Sequence, residues 1–319
     1  MKIVIMDGDL TNSGDISWGP IAELGELTVY PVTAPEDIVK NIADAEAVII
    51  NRITLNEEIF EKCPNIKYIG TLATGYNTID VDAAKKRGIV VSNVPGYSTY
   101  AVAQSAIALL LHHTNRIAQF NSYVNGGGWA SLADKNIDDV PLVELYGKTM
   151  GVVGMGAIGH RVAQIAVAMG MKVLAYRRNP KKEWENESIK FVSMQELLEN
   201  SDVVSLHCLL NDETRGMMNK QAFDSMKDGA ILLNVARGAL VDEKALSDAL
   251  DSGKISYAGI DVLTCEPPEK DNPLVANPKC TITPHIAWRP IETRQRLVQI
   301  VADNLKAFQD GKPQNVVNP

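Results

Sequence analysis

Thr149-Met150-Gly151-Val152-Val153-Gly154-Met155-Gly156-Ala157-Ile158-Gly159 is the stretch on which the reading of this 319-residue chain turns. Residues 149–153 form a short apolar run that reads as a buried strand, and from 157 to 169 apolar residues recur at helical spacing. Between them stands G-x-G-x-x-G, in the strand-then-helix setting that gives this motif a mechanical meaning. Gly154 permits the tight turn, Gly156 lets backbone approach a pyrophosphate, and Gly159 lets the helix lie close on its strand. Ala157 and Ile158 open the helix, whose first N–H groups and positive dipole end face the phosphates. A glycine-rich turn without a ligand is the bland alternative. The strand before the glycines and the helix after them favour a dinucleotide.

Outward from this motif the pattern repeats. Apolar strands are expected at 172–176, 203–206, 230–233, 257–260 and 281–283, with helices at 242–250 and 290–308 among those between and after them. Upstream, strands are expected at 2–6, 47–50, 67–70 and 89–91, with helical patterns at 35–43 and 56–62. Uniformly apolar strands alternating with amphipathic helices imply parallel sheets covered on both faces. The fold class is therefore α/β with two doubly wound parallel-sheet units, the second with more strands than the first. Residues 99–115 read as one long apolar helix, and the irregular excursion from Gly126 to Tyr146 reads as functional or interfacial.

Composition narrows the class. Thirty-one basic against 39 acidic residues give a net charge of −8, which argues against non-specific nucleic-acid binding. Cys63, Cys208, Cys265 and Cys280 show neither C-x-x-C nor zinc spacing, so no metal site is expected and the thiols read as small buried hydrophobes. The N-terminal apolar run is too short for a signal peptide, and residues 101–111 fall short of a membrane span. A soluble, cytoplasmic protein is expected.

The strand after the glycine motif ends at Tyr176, and the next position, where an acidic residue would bind an NAD ribose, carries Arg177 followed by Arg178. Two guanidinium groups suit a 2′-phosphate, so NADP is favoured and NAD is the alternative. Three further strand ends carry chemistry: Asn234-Val235-Ala236-Arg237-Gly238, Asp261-Val262-Leu263-Thr264-Cys265-Glu266, and Thr283-Pro284-His285-Ile286-Ala287-Trp288. They follow parallel strands and so gather at the carboxyl edge of one sheet, where ligands bind in such folds. A carbonyl that receives hydride needs a proton donor, for which His285 suits. Glu266 could fix the imidazole tautomer, and Arg237 could bind a carboxylate bidentately. Singly each has a bland reading; their joint placement favours catalysis.

With these motifs in hand, the chain resembles the D-isomer-specific 2-hydroxyacid dehydrogenases over nearly its whole length. Leu72-Ala73-Thr74-Gly75-Tyr76-Asn77, Asn93-Val94-Pro95-Gly96 and Ala101-Val102-Ala103-Gln104 carry the likeness in the first part. Within the family it resembles the glycerate dehydrogenase and hydroxypyruvate–glyoxylate reductase branch. The resemblance implies a flavodoxin-like substrate domain at 1–99 and 287–319, a Rossmann cofactor domain at 100–286, and an active site in the cleft between them. It implies that Arg237 binds substrate, His285 is the acid/base and Glu266 its partner. Amides of Ala73, Thr74 and Gly75 would meet the substrate carboxylate, and Trp288 would wall the pocket. Asp261 would hold the nicotinamide carboxamide, while His207, Cys208, Leu209, Thr214, Val235, Ala236 and Ala287 would flank the cofactor. Arg177, Gln104 and Tyr100 depart from the common pattern.

The expected activity is reduction of a small 2-keto acid such as hydroxypyruvate or glyoxylate by NAD(P)H, in a homodimer with residues 121–146 as the interface element. No nucleic acid or membrane partner is expected. The alternatives are a sister dehydrogenase of D-lactate, 3-phosphoglycerate, formate or phosphite, and a non-catalytic dinucleotide-sensing regulator.

Overall fold

A computed structural model describes residues 1–130 and 141–319. The described chain divides into two compact units, Met1–Ser98 with Trp288–Pro319, and Thr99–Ala287. Each division falls one residue from the boundary expected at 99/100 and 286/287.

In the first unit, β1 (Lys2–Ile5), β2 (Glu26–Val29), β3 (Ala47–Ile50), β4 (Tyr68–Thr71) and β5 (Val90–Ser92) form a parallel sheet in the order β2-β1-β3-β4-β5. Strand alternation sends Ile3, Ile5, Ala47 and Ile49 to one face and Val4, Val48 and Ile50 to the other. Both sets are buried, which is why these strands read as unbroken apolar runs. The helix Ile291–Gln309 covers the first face with Leu297, Val298, Val301, Ala302 and Leu305. Each buried leucine or valine among them contributes about 1.5–3 kcal/mol, enough to bind the C-terminal segment to the N-terminal sheet. Arg294, 6% exposed, pins the helix start: it grips the Asp15 carboxylate at 2.7 and 2.6 Å and donates to the carbonyls of Thr11 and Arg289. That guanidinium holds the Asp15 carboxyl below the usual carboxylate range.

The second unit carries β6 (Thr149–Val153), β7 (Lys172–Tyr176), β8 (Ile189–Phe191), β9 (Val203–Leu206), β10 (Ala230–Asn234), β11 (Ile255–Ile260) and β12 (Cys280–Ile282). They form a seven-stranded parallel sheet, ordered β12-β11-β10-β9-β6-β7-β8. The chain runs from β6 outward through β7 and β8, then returns to β9 on the other side of β6. The order therefore reverses beside the glycine motif, and such a switch point opens a crevice at the carboxyl edge. The helix Thr99–Asn115 belongs to this unit and lies close on β11; a Cβ at Gly259 would sit 2.9 Å from Leu109 Cβ. No helix among the described residues is long and apolar enough to cross a membrane.

Several expectations need correction. β2 and β8 are edge strands with half-exposed patterns, so the search for apolar runs passes over them. The expected helix at 35–43 is a 3₁₀ turn at Pro35–Asp37 followed by a helix at Ile38–Ile42, closed by Ala43 at φ 47°. Cys63 is buried as expected, but Cys265 is exposed on the loop after β11. The excursion at 126–146 lies partly outside the described residues.

Candidate active site

Gly154, Gly156 and Gly159 differ in what surrounds them. Gly154, at φ +95°, turns the chain against the end of β9; a Cβ there would stand 2.4 Å from the Cys208 nitrogen. At Gly159 a Cβ would come 2.5 Å from the Gly154 carbonyl and 3.0 Å from Val152, so helix and strand touch through this position. Gly156 caps the helix Ala157–Ala168, and nothing lies within 4 Å of the place a Cβ would take. The open space sits at a helix N-terminus, where a pyrophosphate is received. The chain thus fits a dinucleotide.

Beside this turn, Tyr176 ends β7 and Arg177 donates to the Met155 carbonyl at 3.1 Å. A pocket of about 520 Å³ is lined there by Arg177, Arg161, Lys181, His160, Trp184 and Tyr100, among others. Trp184 stacks on His160 at 4.2 Å, and Arg177 and Lys181 stand over the Trp184 ring at 5.7 and 4.5 Å. Burial, and secondarily the Lys181 charge, lowers the His160 pKa. Of the two arginines read from the sequence, Arg177 lines this pocket, while exposed Arg178 pairs with Glu213. Sequence reasoning missed Arg161, Lys181 and Trp184 as members. A basic run beyond Arg178 was the signal for Lys181. Tyr100, which departs from the family's common pattern, is the platform beneath Arg161, whose guanidinium lies 5.3 Å from the Tyr100 ring centre.

On the far side of Gly154, His207 donates its backbone N–H to Val153 at 2.7 Å and sets its Nε2 2.8 Å from Ser205 Oγ. Burial pushes its imidazole down to about 3, so the ring is neutral. Burial likewise pushes the Cys208 thiol up to about 11. Thr214 donates to the Leu209 carbonyl at 2.7 Å and closes the loop after β9, with Leu209 exposed at its tip.

The three chemical strand ends lie side by side on β10, β11 and β12. Buried Asn234 shapes the first: its amide donates to the Arg237 carbonyl at 2.9 Å and its oxygen accepts from Ala236 N–H at 3.0 Å. Val235 is buried, Ala236 half-buried, and the Arg237 side chain is exposed, donating to the Ala236 carbonyl at 2.6 Å. Gly238 follows because a Cβ would lie 2.0 Å from the Leu263 carbonyl carbon. That contact presses the Arg237 turn against the Glu266 loop.

Asp261, 1% exposed, organises the third end. Oδ1 accepts from Thr283 Oγ1 at 2.5 Å and from Ile286 N–H at 2.9 Å, and Oδ2 accepts from Ala287 N–H at 2.9 Å. Its carbonyl also accepts the His285 N–H at 2.8 Å. This clamp holds His285 at φ 54°, a left-handed conformation uncommon outside glycine. In that pose His285 Nδ1 lies 2.8 Å from Glu266 Oε2, both side chains retaining a little under a third of their exposure. Glu266 Oε1 accepts from Leu263 N–H at 3.2 Å, so the carboxylate is itself oriented. An imidazole with Nδ1 held by a carboxylate presents Nε2 for proton transfer. Asn234, Gly238 and Thr283 were quoted in the motifs without a role; their function is to shape backbone, which no chemical pattern announces.

In the first unit, the Ala73-Thr74-Gly75 loop follows β4. Thr71 Oγ1 and Val94 N–H donate to the Ala73 carbonyl at 2.7 and 3.0 Å, and Asn93 Nδ2 donates to the Thr74 carbonyl at 2.7 Å. The carbonyls are thus held by the protein, and among the described residues no acceptor meets the amides of Ala73, Thr74 and Gly75. Trp288 packs against the core under the helix Ile291–Gln309.

Comparison with known proteins identifies the family. Residues 107–287 match the model of the D-isomer specific 2-hydroxyacid dehydrogenase, NAD binding domain. The hydroxypyruvate reductase of Blautia hydrogenotrophica is 48% identical over 321 residues, covering 100% of each chain. The glyoxylate reductase of Korarchaeum cryptofilum is 38% identical over 309 residues, covering 93% of this chain and 91% of that one. Among solved structures, an acyclic imino acid reductase in complex with NADPH and D-Arg superposes with a TM-score of 0.87 at 31% identity, over 99% of this chain and 100% of that one. The chain belongs to the D-isomer-specific 2-hydroxyacid dehydrogenase family, in its glycerate dehydrogenase and hydroxypyruvate–glyoxylate reductase branch, and is an oxidoreductase with an NAD(P)-binding domain.

Proposed function

We propose that this enzyme reduces hydroxypyruvate and glyoxylate with NADPH in preference to NADH, as a cytoplasmic homodimer. The observation that carries the reaction is the 2.8 Å contact between Glu266 and His285 on a loop clamped by Asp261. The reduced nicotinamide, when bound, supplies hydride to the substrate carbonyl carbon. His285 gives its Nε2 proton to the carbonyl oxygen, and Glu266 stabilises the charged imidazole before transfer and keeps its tautomer after it. Arg237 takes the substrate carboxylate and polarises the carbonyl. In the first unit, the amides of Ala73, Thr74 and Gly75 are open to a carboxylate, and Trp288 is assigned to the substrate side. Gly154, Gly156, Ala157, Ile158 and Gly159 hold the pyrophosphate. His207, Cys208, Leu209, Thr214, Val235, Ala236 and Ala287 flank the cofactor, and Asp261 serves its carboxamide end through the loop it clamps. NADPH preference is supported by the Arg177, Lys181 and Arg161 cations around one pocket, whose described lining holds no carboxylate. The dimer is supported by Ile117 and Trp129, 70% and 66% exposed near the irregular excursion.

The test mixes purified enzyme with hydroxypyruvate and either NADPH or NADH and follows loss of the reduced-nicotinamide absorbance. NADPH is consumed faster, and His285→Ala lowers turnover by about 10²–10⁴-fold while cofactor binding persists. Unchanged turnover in that variant overturns the acid/base assignment. Loss with NADH alone overturns the cofactor preference.

A further inference from the structure

The opposite edge of the second unit holds a cavity that the hydride chemistry does not use. It is about 110 Å³ in volume and lies where the helix Thr99–Asn115 ends, beside the amino ends of β11 and β12. His113, Arg116, Tyr257 and Lys279 are among its lining residues. His113 and Tyr257 are 7% and 4% exposed, and their rings stack at 4.0 Å with 11° between planes.

Two buried polar atoms, His113 Nδ1 and Arg116 Nε, meet this cavity without a hydrogen-bond partner, and the buried Tyr257 hydroxyl joins them beside Thr281. Buried polar groups are paired in the great majority of cases, so unpaired ones lining a single cavity are positioned to bind a polar ligand. The set is biased in sign. Arg116 is a donor only, and His112 and Lys279 also face the cavity, Lys279 spending a proton on the Leu250 carbonyl at 2.6 Å. Among the described residues that line it, none is a carboxylate. Burial and the neighbouring Arg116 push the His113 imidazole down to about 4, as an uncompensated positive neighbour requires. Arg116 itself has a left-handed backbone, φ 51°, at the corner between the helices Thr99–Asn115 and Ile117–Asn125.

We propose that this cavity is a binding site for a small tetrahedral oxyanion of the inorganic phosphate type, with Arg116 supplying charge and His113 Nδ1 and the Tyr257 hydroxyl supplying hydrogen bonds. Its volume suits one such ion or a few waters. The site is distinct from the pyrophosphate position at Gly156, since it lies at the amino ends of strands whose carboxyl ends carry Asp261 and His285. Four residue steps along β11 lead from Tyr257 to Asp261, roughly 13 Å at 3.3 Å per residue.

Titration of the full-length enzyme with inorganic phosphate, followed by imidazole ¹H–¹⁵N spectra, tests the proposal. The chain has five histidines, and His113→Phe, which keeps a stacking ring, identifies the His113 signals. Saturable shifts are expected at His113. Arg116→Gln should weaken the apparent affinity roughly ten- to a hundredfold, the worth of a charge-assisted hydrogen bond. Arg177→Asp, on the cofactor side, should leave the His113 titration unchanged. Crystals grown with arsenate supply a readout without a variant: an anomalous peak within reach of Arg116 Nε and Tyr257 Oη is expected. A His113 signal indifferent to phosphate, the same midpoint in Arg116→Gln, or a cavity holding water alone overturns the proposal.

Discussion

Replacing Asp261 by Asn separates two jobs the residue could have, clamping the catalytic loop and touching the cofactor. The carboxylate accepts from Thr283 Oγ1, Ile286 N–H and Ala287 N–H. An amide oxygen in the Oδ1 position keeps the first two, but the NH₂ group then faces the N–H of Ala287, which is 6% exposed. One charge-assisted bond is lost and a buried donor is orphaned, a cost of about 2–3 kcal/mol. The opposite amide orientation orphans the Ile286 N–H instead, since the Thr283 hydroxyl can turn to accept from the NH₂ group, and costs about as much. The loop therefore opens more readily, and amide exchange at Ile286 and Ala287 accelerates roughly 30- to 150-fold at 1.4 kcal/mol per decade. Hydrogen-exchange mass spectrometry over 283–288 reads this directly. Because His285 needs the clamp to hold its left-handed backbone, kcat should fall in parallel while the cofactor Kd stays within a few-fold. Normal exchange with a raised Kd would refute the clamp and assign Asp261 to direct cofactor contact.

Three shorter predictions follow from the same geometry. Arg177→Asp should lower the NADPH-to-NADH ratio of kcat/KM by tenfold or more, since it replaces a cation in the Trp184 pocket with a carboxylate; an unchanged ratio would make the basic loop mere surface. Gly238→Ala forces a Cβ to within 2.0 Å of Leu263 backbone and should cost about 3 kcal/mol, lowering the Tm by roughly 6–12 °C, with no shift counting against the close approach. His207, held at about 3 by burial, is neutral when folded but takes up a proton near pH 6.5 when unfolded. Its neutral form therefore favours folding fully above pH 6.5, and that advantage is lost as pH falls from 6.5 toward 3, by about 2 kcal/mol at pH 5. Denaturant titrations at pH 7 and pH 5 should show a smaller acid loss in His207→Gln, and equal losses would contradict the burial argument.

Much of the molecule was legible in local sequence because the responsible physics is local. The glycine spacing, the apolar runs of β6, β9 and β10, and the strand-end segments holding Arg237, Glu266 and His285 each lie within a few residues of chain. A parallel sheet then carries such strand ends to a common edge without further information. The edge strands β2 and β8 were not legible, because a strand covered on one side need not be apolar throughout. Nor did the sequence distinguish the neighbouring arginines. Both are long cations in a basic run, and only the turn at Lys182–Trp184 decides that Arg177 meets Trp184 while Arg178 reaches Glu213.

By itself, then, the sequence determined the fold class, the dinucleotide turn and the chemical identity of the groups on the strand ends, since periodicity and motif spacing encode these directly. Tertiary structure alone decided which groups share an environment. It made Asp261 a clamp on the His285 loop and set His113 against Tyr257, 144 positions later in the chain. Hydrogen-bond satisfaction and burial are properties of the packed interior, so contacts between distant residues leave no periodic trace along the chain.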